Sequence, residues 1–327
     1  MARTLKLGAL VAGAALALGA TQAARAADEA SLILNWYLGG LHTPFYLGQE
    51  RGYYEEEGIN LTIQEGRGSA VAAQVVAARD VDFGMSDAGS LMLAASKGLP
   101  IKSVMSLLNT SGFGVISLAQ TGIEGPKDLE GKTLAVSPGD ALTQLFPAVV
   151  AANELDESQI ELVFMDPPAK PVAVMEGRAD ALLGGIDDQY FLIEAQGHEP
   201  AALRFADLGV NTVGITVHTH EDNVEQRPDR VERFVRASVR SWQAALEDPE
   251  AAVDAALQVK PDLDRESTLK QLQVDLDLLF SPNTEGKGIG FGAPEDWEHT
   301  KELLTLYRDL ETDREAASFY TNEFLPQ

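Results

Sequence analysis

Short apolar runs alternate with segments of helical period along most of this chain, and that alternation restricts its fold more than any other feature. Runs bounded by Gly, Pro, Asp or Ser predict strands at 59–64, 81–85, 101–106, 114–118, 133–136, 161–164, 181–184 and 213–218. Between them, apolar positions recur at helical spacing over 69–78, 90–97, 141–153, 172–176 and 188–195. A strand that leads into a helix can pair in parallel with the next strand, so the pattern predicts α/β layers with largely parallel sheets. After Asp222 the texture changes to long amphipathic helices, predicted at 229–246, 249–259, 266–279 and 294–310. In the first of these, Val231, Phe234, Val235, Val239 and Trp242 make one apolar stripe, which reads as core. A chain of 327 residues, 45% hydrophobic and 23% charged, has the material for two domains with real cores.

The first 26 residues carry Arg3 and Lys6, an apolar run over 7–20, and then Ala24, Arg25 and Ala26. This is the pattern of a secretory signal peptide cleaved before Ala27, the apolar run being short for a bilayer span. Without that segment, 22 basic residues remain against 50 acidic ones, a net charge of −28 with His neutral. So acidic a surface repels phosphate backbones and speaks against nucleic acid as a partner. The chain has no cysteine, which excludes disulfides, thiolate metal sites and a lipidated N-terminal cysteine. The expected location is the periplasm, as a soluble monomer.

Ligand chemistry is expected at the ends of the strands. The apolar run 31–36 stops at Asn35 and Trp36, an amide and an indole at a strand end, and Gly39 and Gly40 then break the period before His42. Thr43 is positioned to cap a helix through Phe45, Tyr46, Leu47 and Tyr53. Three later junctions place small or turn-forming residues before a helix start: 66–69 with Arg67, 86–90 with Ser86, Asp87 and Ser90, and 137–140 with Ser137 and Asp140. Exposed backbone amides at such junctions bind polar groups, and open α/β sheets bind ligands there. A fourth junction, 184–188, adds Asp187 and Asp188, with Tyr190 one helical turn on; both carboxylates are equally suited to capping that helix.

Taken in order, LNW (34–36), HTPFYLGQERGYYEEEGIN (42–60), DFGMSDAGS (82–90), GLPIKSV (98–104), DLEGKTLAV (128–136) and EGRADALLGG (176–185) resemble periplasmic substrate-binding proteins of ABC importers. The branch is the one that groups nitrate, sulfonate and taurine binders with thiamine-pyrimidine binders. LNW followed by His42, and YTNEFLPQ at 320–327, look like its pyrimidine group. The resemblance implies a two-lobed, type II periplasmic binding fold with mixed sheets flanked by helices and a ligand cleft between the lobes. It places lobe I at 27–119 plus 218–327 and lobe II at 120–217, with an inner-membrane permease and ATPase as partners.

The same group includes a fungal enzyme that makes hydroxymethylpyrimidine, consumes one of its own histidines and holds pyridoxal phosphate through a lysine. Ser86 stands where that lysine aligns and Ser90 where the consumed histidine aligns, and the enzyme's cysteine-rich iron segment has no counterpart. Nor does the chain display a Ser-His-Asp or metal-spaced His set, His218 and His220 having no evident third ligand. No catalytic residue, metal or cofactor is therefore expected. Trp36 and Tyr190 are expected to stack on a heteroaromatic ring, with Asn35, His42, Asp87 and Asp187 fixing its orientation by hydrogen bonds, as an aminopyrimidine requires. The alternative ligand is an anion, a sulfonate, nitrate or aromatic carboxylate, clamped by Arg67. A third possibility is a relative in fold alone that binds a partner and no metabolite.

Overall fold

The computed structural model describes residues 27–138 and 140–326; the expected signal peptide at 1–26 lies outside the described residues. From the N-terminal side the elements are β1 (Asp28–Ile33), α1 (Thr43–Glu50), α2 (Tyr53–Glu56), β2 (Ile59–Gln64), α3 (Ser69–Ala77), β3 (Phe83–Asp87), α4 (Ala88–Ser96) and β4 (Ile101–Ser106). There follow β5 (Phe113–Leu118), β6 (Thr133–Val136), α5 (Ala141–Ala152), β7 (Glu161–Phe164), α6 (Ala169–Met175), β8 (Ala181–Gly185), α7 (Gln189–Glu194) and β9 (Pro200–Arg204). The last part contains β10 (Ile215–His220), α8 (Glu221–Gln226), α9 (Pro228–Glu247), α10 (Pro249–Val259), α11 (Arg265–Asp277) and α12 (Pro294–Tyr307).

The strands form two five-stranded sheets with the same plan. The first runs β2-β1-β3-β10-β4 and the second β7-β6-β8-β5-β9. In each, four strands run in one direction, three of them paired in parallel, and the fifth lies antiparallel between its neighbours: β10 between β3 and β4, β5 between β8 and β9. Each antiparallel strand is the first one laid down after the chain has arrived from the other sheet. Both sheets are thus mixed, as the resemblance implies, with parallel and antiparallel pairings in equal number. A strand's apolar run does not encode the direction of its partner.

The chain passes between the sheets at 107–112 and again at 205–214. The two passages are bonded to each other: Gly214 N donates to Leu108 O at 2.8 Å, and Asn211 Oδ1 accepts from Ser111 N at 3.1 Å. The lobe boundaries expected at 119 and 217 fall after β5 and inside β10, whereas the passages come before these strands, each of which begins its stay in the new sheet. The strand β9 had no sequence expectation, since PAALR offers neither alternation nor β-branched residues and begins on a proline, which only an edge strand tolerates. The helix after His42 also breaks in two, with Gly52 at φ 73° between α1 and α2.

Core packing follows the sequence pattern closely. The stripe of α9 lies fully buried against the first sheet, with the Phe234 ring stacked on Phe83 at 3.8 Å. Arg230 Nη1 ties α9 to Asp82 beside β3 at 2.6 Å. The second sheet has its own core around Leu134, Val149, Leu183 and Phe205. Helix α12 serves both, sending Leu303 to that core and Leu304 with Trp297 to the α3–α4 side of the first sheet.

Candidate ligand-binding cleft

A cavity of about 710 Å³ opens between the two sheets. The six strands paired in parallel feed it from their carboxyl ends: Asn35 after β1, Ser69 after β2, Asp87 at the end of β3, Asp140 after β6, Lys170 after β7 and Asp187 after β8. This is where side chains leave an open sheet without being covered by its helices. Helix α11 with the residues before it, and Arg308 after α12, supply the remaining wall.

Asn35 is oriented by a fixed relay. Gly39 N donates to His42 Nδ1 at 3.1 Å, so the ring proton sits on Nε2, which donates to Asn35 Oδ1 at 2.9 Å. The Asn35 amide oxygen is thereby engaged and its Nδ2 hydrogens are left for other partners. Burial holds His42 at a pKa of about 3, well below the usual 6.5 and against the pull of Glu65, so the imidazole is neutral in this role. Gly40 makes the close approach possible, since a Cβ there would lie 2.4 Å from Leu272 N, and its own N donates to Gln271 Oε1 at 3.0 Å. His42 also precedes α1 as its cap residue, while Thr43, expected in that position, lies inside the helix with Oγ1 donating to Gly40 O.

The acids of the wall have two kinds of environment. Asp87 and Asp140 cap helices, accepting from Ser90 N at 2.8 Å and from Thr143 N at 2.6 Å. Asp140 also lies 3.4 Å from Lys170 Nζ, which donates to Leu183 O at 2.5 Å. Burial lowers the Lys170 pKa, opposed by the charges of Asp140 and Asp188. Arg308 is likewise depressed by burial, opposed by Asp87 and Asp140, and its Nε donates to Gln144 Oε1 at 2.7 Å. The second group is Asp187, Asp188 and Asp275. Burial, then the charge of Asp188, raises Asp187 to about 6; burial also raises Asp188, against the pull of Lys170. Asp275 is pushed well above the carboxylate range, first by burial and then by both of these neighbours.

Of the residues singled out by sequence, Asn35, Trp36, His42, Asp87, Ser90, Asp140 and Asp187 stand together on the cavity wall. Trp36 is 43% exposed, its ring edge-on to Tyr37 at 5.5 Å. Four others stand elsewhere. Arg67 is exposed on the surface, held there by the Gly66 and Gly68 backbone bonds to Trp36 O and Asn35 O. Ser86 is buried, its Oγ donating to Ser69 O at 2.9 Å, and Ser137 is buried behind the wall. Tyr190 packs edge-on to Phe191 at 5.3 Å and against the α6 core, because its place on α7 turns it from the opening. Sequence inspection overlooked Lys170, Gln271, Asp275, Arg308 and Phe113 as wall residues. Asp275 alone carried a signal, an acid within the apolar period of a helix.

Two sheets of one plan, two crossings and a cleft at the carboxyl ends of the parallel strands make this a type II periplasmic binding protein fold. The chain belongs to the NMT1/THI5 like family, whose pattern matches residues 40–252. The periplasmic aliphatic sulphonate binding protein SsuA from Escherichia coli superposes with a TM-score of 0.70 at 14% identity, covering 89% of this chain and 97% of that one. Among relatives in sequence, the riboflavin-binding protein RibY of Chloroflexus aurantiacus is 26% identical over 91% of this chain and 86% of its own length. The formylaminopyrimidine-binding protein of Halalkalibacterium halodurans is 27% identical over 91% of this chain and 92% of its own. The 4-amino-5-hydroxymethyl-2-methylpyrimidine phosphate synthase of Legionella pneumophila is also 27% identical, over 91% and 93%.

Proposed function

We propose that this protein is the periplasmic solute-binding component of an ABC importer, delivering a small heteroaromatic ligand of the aminopyrimidine kind to a permease and its ATPase. Capture occurs by closure of two lobes, one on each sheet, about the passages at 107–112 and 205–214. The observation that carries the reading is the chemistry of the cleft: an indole 43% exposed on a wall whose ionisable groups are mostly carboxylates. An indole offers a face for a planar ring, and carboxylates accept from ring amines. The relatives named for formylaminopyrimidine and riboflavin, both nitrogen heteroaromatics, support the same class of ligand.

An anionic solute is the competing reading, favoured by Lys170 and Arg308 on the wall. Both cations already have partners, Lys170 in Leu183 O and Asp140, Arg308 in Gln144, and six aspartates share the wall with them. An anion would have to displace those bonds or accept the nearby negative charge. As to catalysis, the synthase relative leaves that reading to be tested, and Ser86 and Ser90 stand where the lysine and histidine of the fungal enzyme align.

Calorimetric titration separates these readings. Aminopyrimidines are expected to bind and raise the melting temperature, alkanesulfonates and benzoate to do neither, and pyridoxal phosphate to produce no Schiff-base absorbance. Tight sulfonate binding with no response to pyrimidines would replace the first reading by the second, and a Schiff-base band would reopen catalysis.

A further inference from the structure

Among the described residues of the cleft wall, three buried side-chain oxygens have no hydrogen-bond partner: Asp275 Oδ1, Asp275 Oδ2 and Gln189 Oε1. Asp275 is 0% exposed. An acid side chain with neither oxygen partnered is costly to bury even when it keeps its proton, and a leucine in its place would continue the apolar packing of Leu272 and Leu278 on the same stretch. Packing therefore gives no reason for an acid at this position. A ligand that brings donors does.

The arrangement also says what shape of donor fits. Asp275 belongs to α11, on the side of the first sheet, while Asp187 and Asp188 follow β8 in the second. Their separation is bridged at one glycine: a Cβ on Gly112 would lie 3.1 Å from Asp187 Oδ1 and 3.5 Å from Leu278 Cδ1 just beyond α11. Among the described residues no three acids or histidines gather as metal ligands do. Lys270 of α11 meets Glu194 of α7 at 2.9 Å near the same seam, holding the two sides together.

We infer that Asp275 is the specificity-determining residue of the cleft, selecting ligands that present an edge of adjacent N–H donors, an amidinium-like edge such as the amine and the ring nitrogen of a 4-aminopyrimidine that has taken up the carboxyl proton, across the seam between α11 and the β8–α7 turn. This rests on the binding role proposed above and adds to it the group that reads the amine. Asp187 accepts from the same edge on the opposite side, and Gln189 Oε1 offers the further acceptor. A site built to accept from N–H groups rejects an otherwise identical ring that lacks them, because its own oxygens are then left unpaired.

The test uses the full mature chain, the isosteric variant Asp275→Asn and the apolar variant Asp275→Leu, each titrated with 4-amino-5-hydroxymethyl-2-methylpyrimidine and with the same ring carrying methyl in place of the amine. The wild type is expected to prefer the amine by about tenfold or more, and both variants to lose that preference. The ligand-free melting temperature of both variants is expected to rise, since the cost of burying an acid that ionises freely when unfolded has gone; lower affinity in a more stable protein is a signature that mere structural damage does not produce. Retention of the preference by the variants overturns the inference while leaving the binding role intact. Equal binding of the two rings by the wild type does the same. Failure of the wild type to bind either ring removes the aminopyrimidine reading and this inference with it. Unfolding of both variants also overturns it, since a carboxylate required by the fold is not one held for a ligand.

Discussion

At the scale of single residues, the cleft separates ionisable groups that look alike in sequence. Asp140 and Asp187 each follow a strand, yet Asp140 is held by a helix N-terminus and a lysine, whereas Asp187 sits among other acids with its pKa raised to about 6. A carboxyl whose folded pKa lies above its unfolded value binds its proton more tightly in the folded state. It therefore lowers stability as pH rises from about 4 to about 6, and leaves the full penalty in place above that. Asp187→Asn is expected to raise unfolding stability at pH 8 by about 1–2 kcal/mol, part of the effect being screened by solvent in the cleft, and to change little at pH 4. Chemical denaturation at the two pH values measures it, and an equal gain at both would sink the argument. His42 works in the opposite direction. Neutral when folded, with its pKa near 3, it supports stability above pH 6.5, and that support fades as pH falls toward 3.

At the scale of elements, close approach decides where helices sit. Helix α1 lies against α9 through Gly48, where an added Cβ would meet Ser241 Oγ at 1.8 Å and Tyr54 Cε2 at 2.9 Å. Ser241 Oγ already donates to Ala237 O at 2.8 Å within α9, so it has nowhere to retreat without giving up that bond. Gly48→Ala improves helix propensity and still should cost about 1–3 kcal/mol by overpacking. A thermal melt showing the variant as stable as the wild type would mean that α1 shifts freely on α9. Such a shift would also loosen the turn that carries His42 and Gly40. The position of Asn35 in the cleft thus depends on a helix contact that lies outside it.

At the scale of the whole molecule, two sheets of matching plan meet along a cleft, joined among the described residues by two bonded passages and the packing of α11 and α12. Closure about such passages changes the overall dimensions without changing either core. Small-angle scattering should accordingly record a smaller radius of gyration at saturating ligand, and an unchanged radius with proven binding would exclude closure as the mode of capture. Contacts such as Lys270–Glu194, both side chains more than a third exposed, are screened by solvent and weak enough for opening to remain easy.

By itself the sequence determined the α/β texture, the apolar stripe of α9 and the placement of polar junctions at strand ends, because these rest on local periodicity and on the chemistry of helix starts. It also brought Asn35, Trp36, His42 and Asp187 forward, each lying beside a break in that periodicity. Only the tertiary structure decided that β5 and β10 run against their neighbours, that PAALR forms an edge strand and that Arg67 faces water while Arg308 lines the cleft. The physical reason is one of range. Periodicity reports which face of an element is covered, but not by what, and Asp275 comes opposite Asp187 only after two separate sheets have been joined.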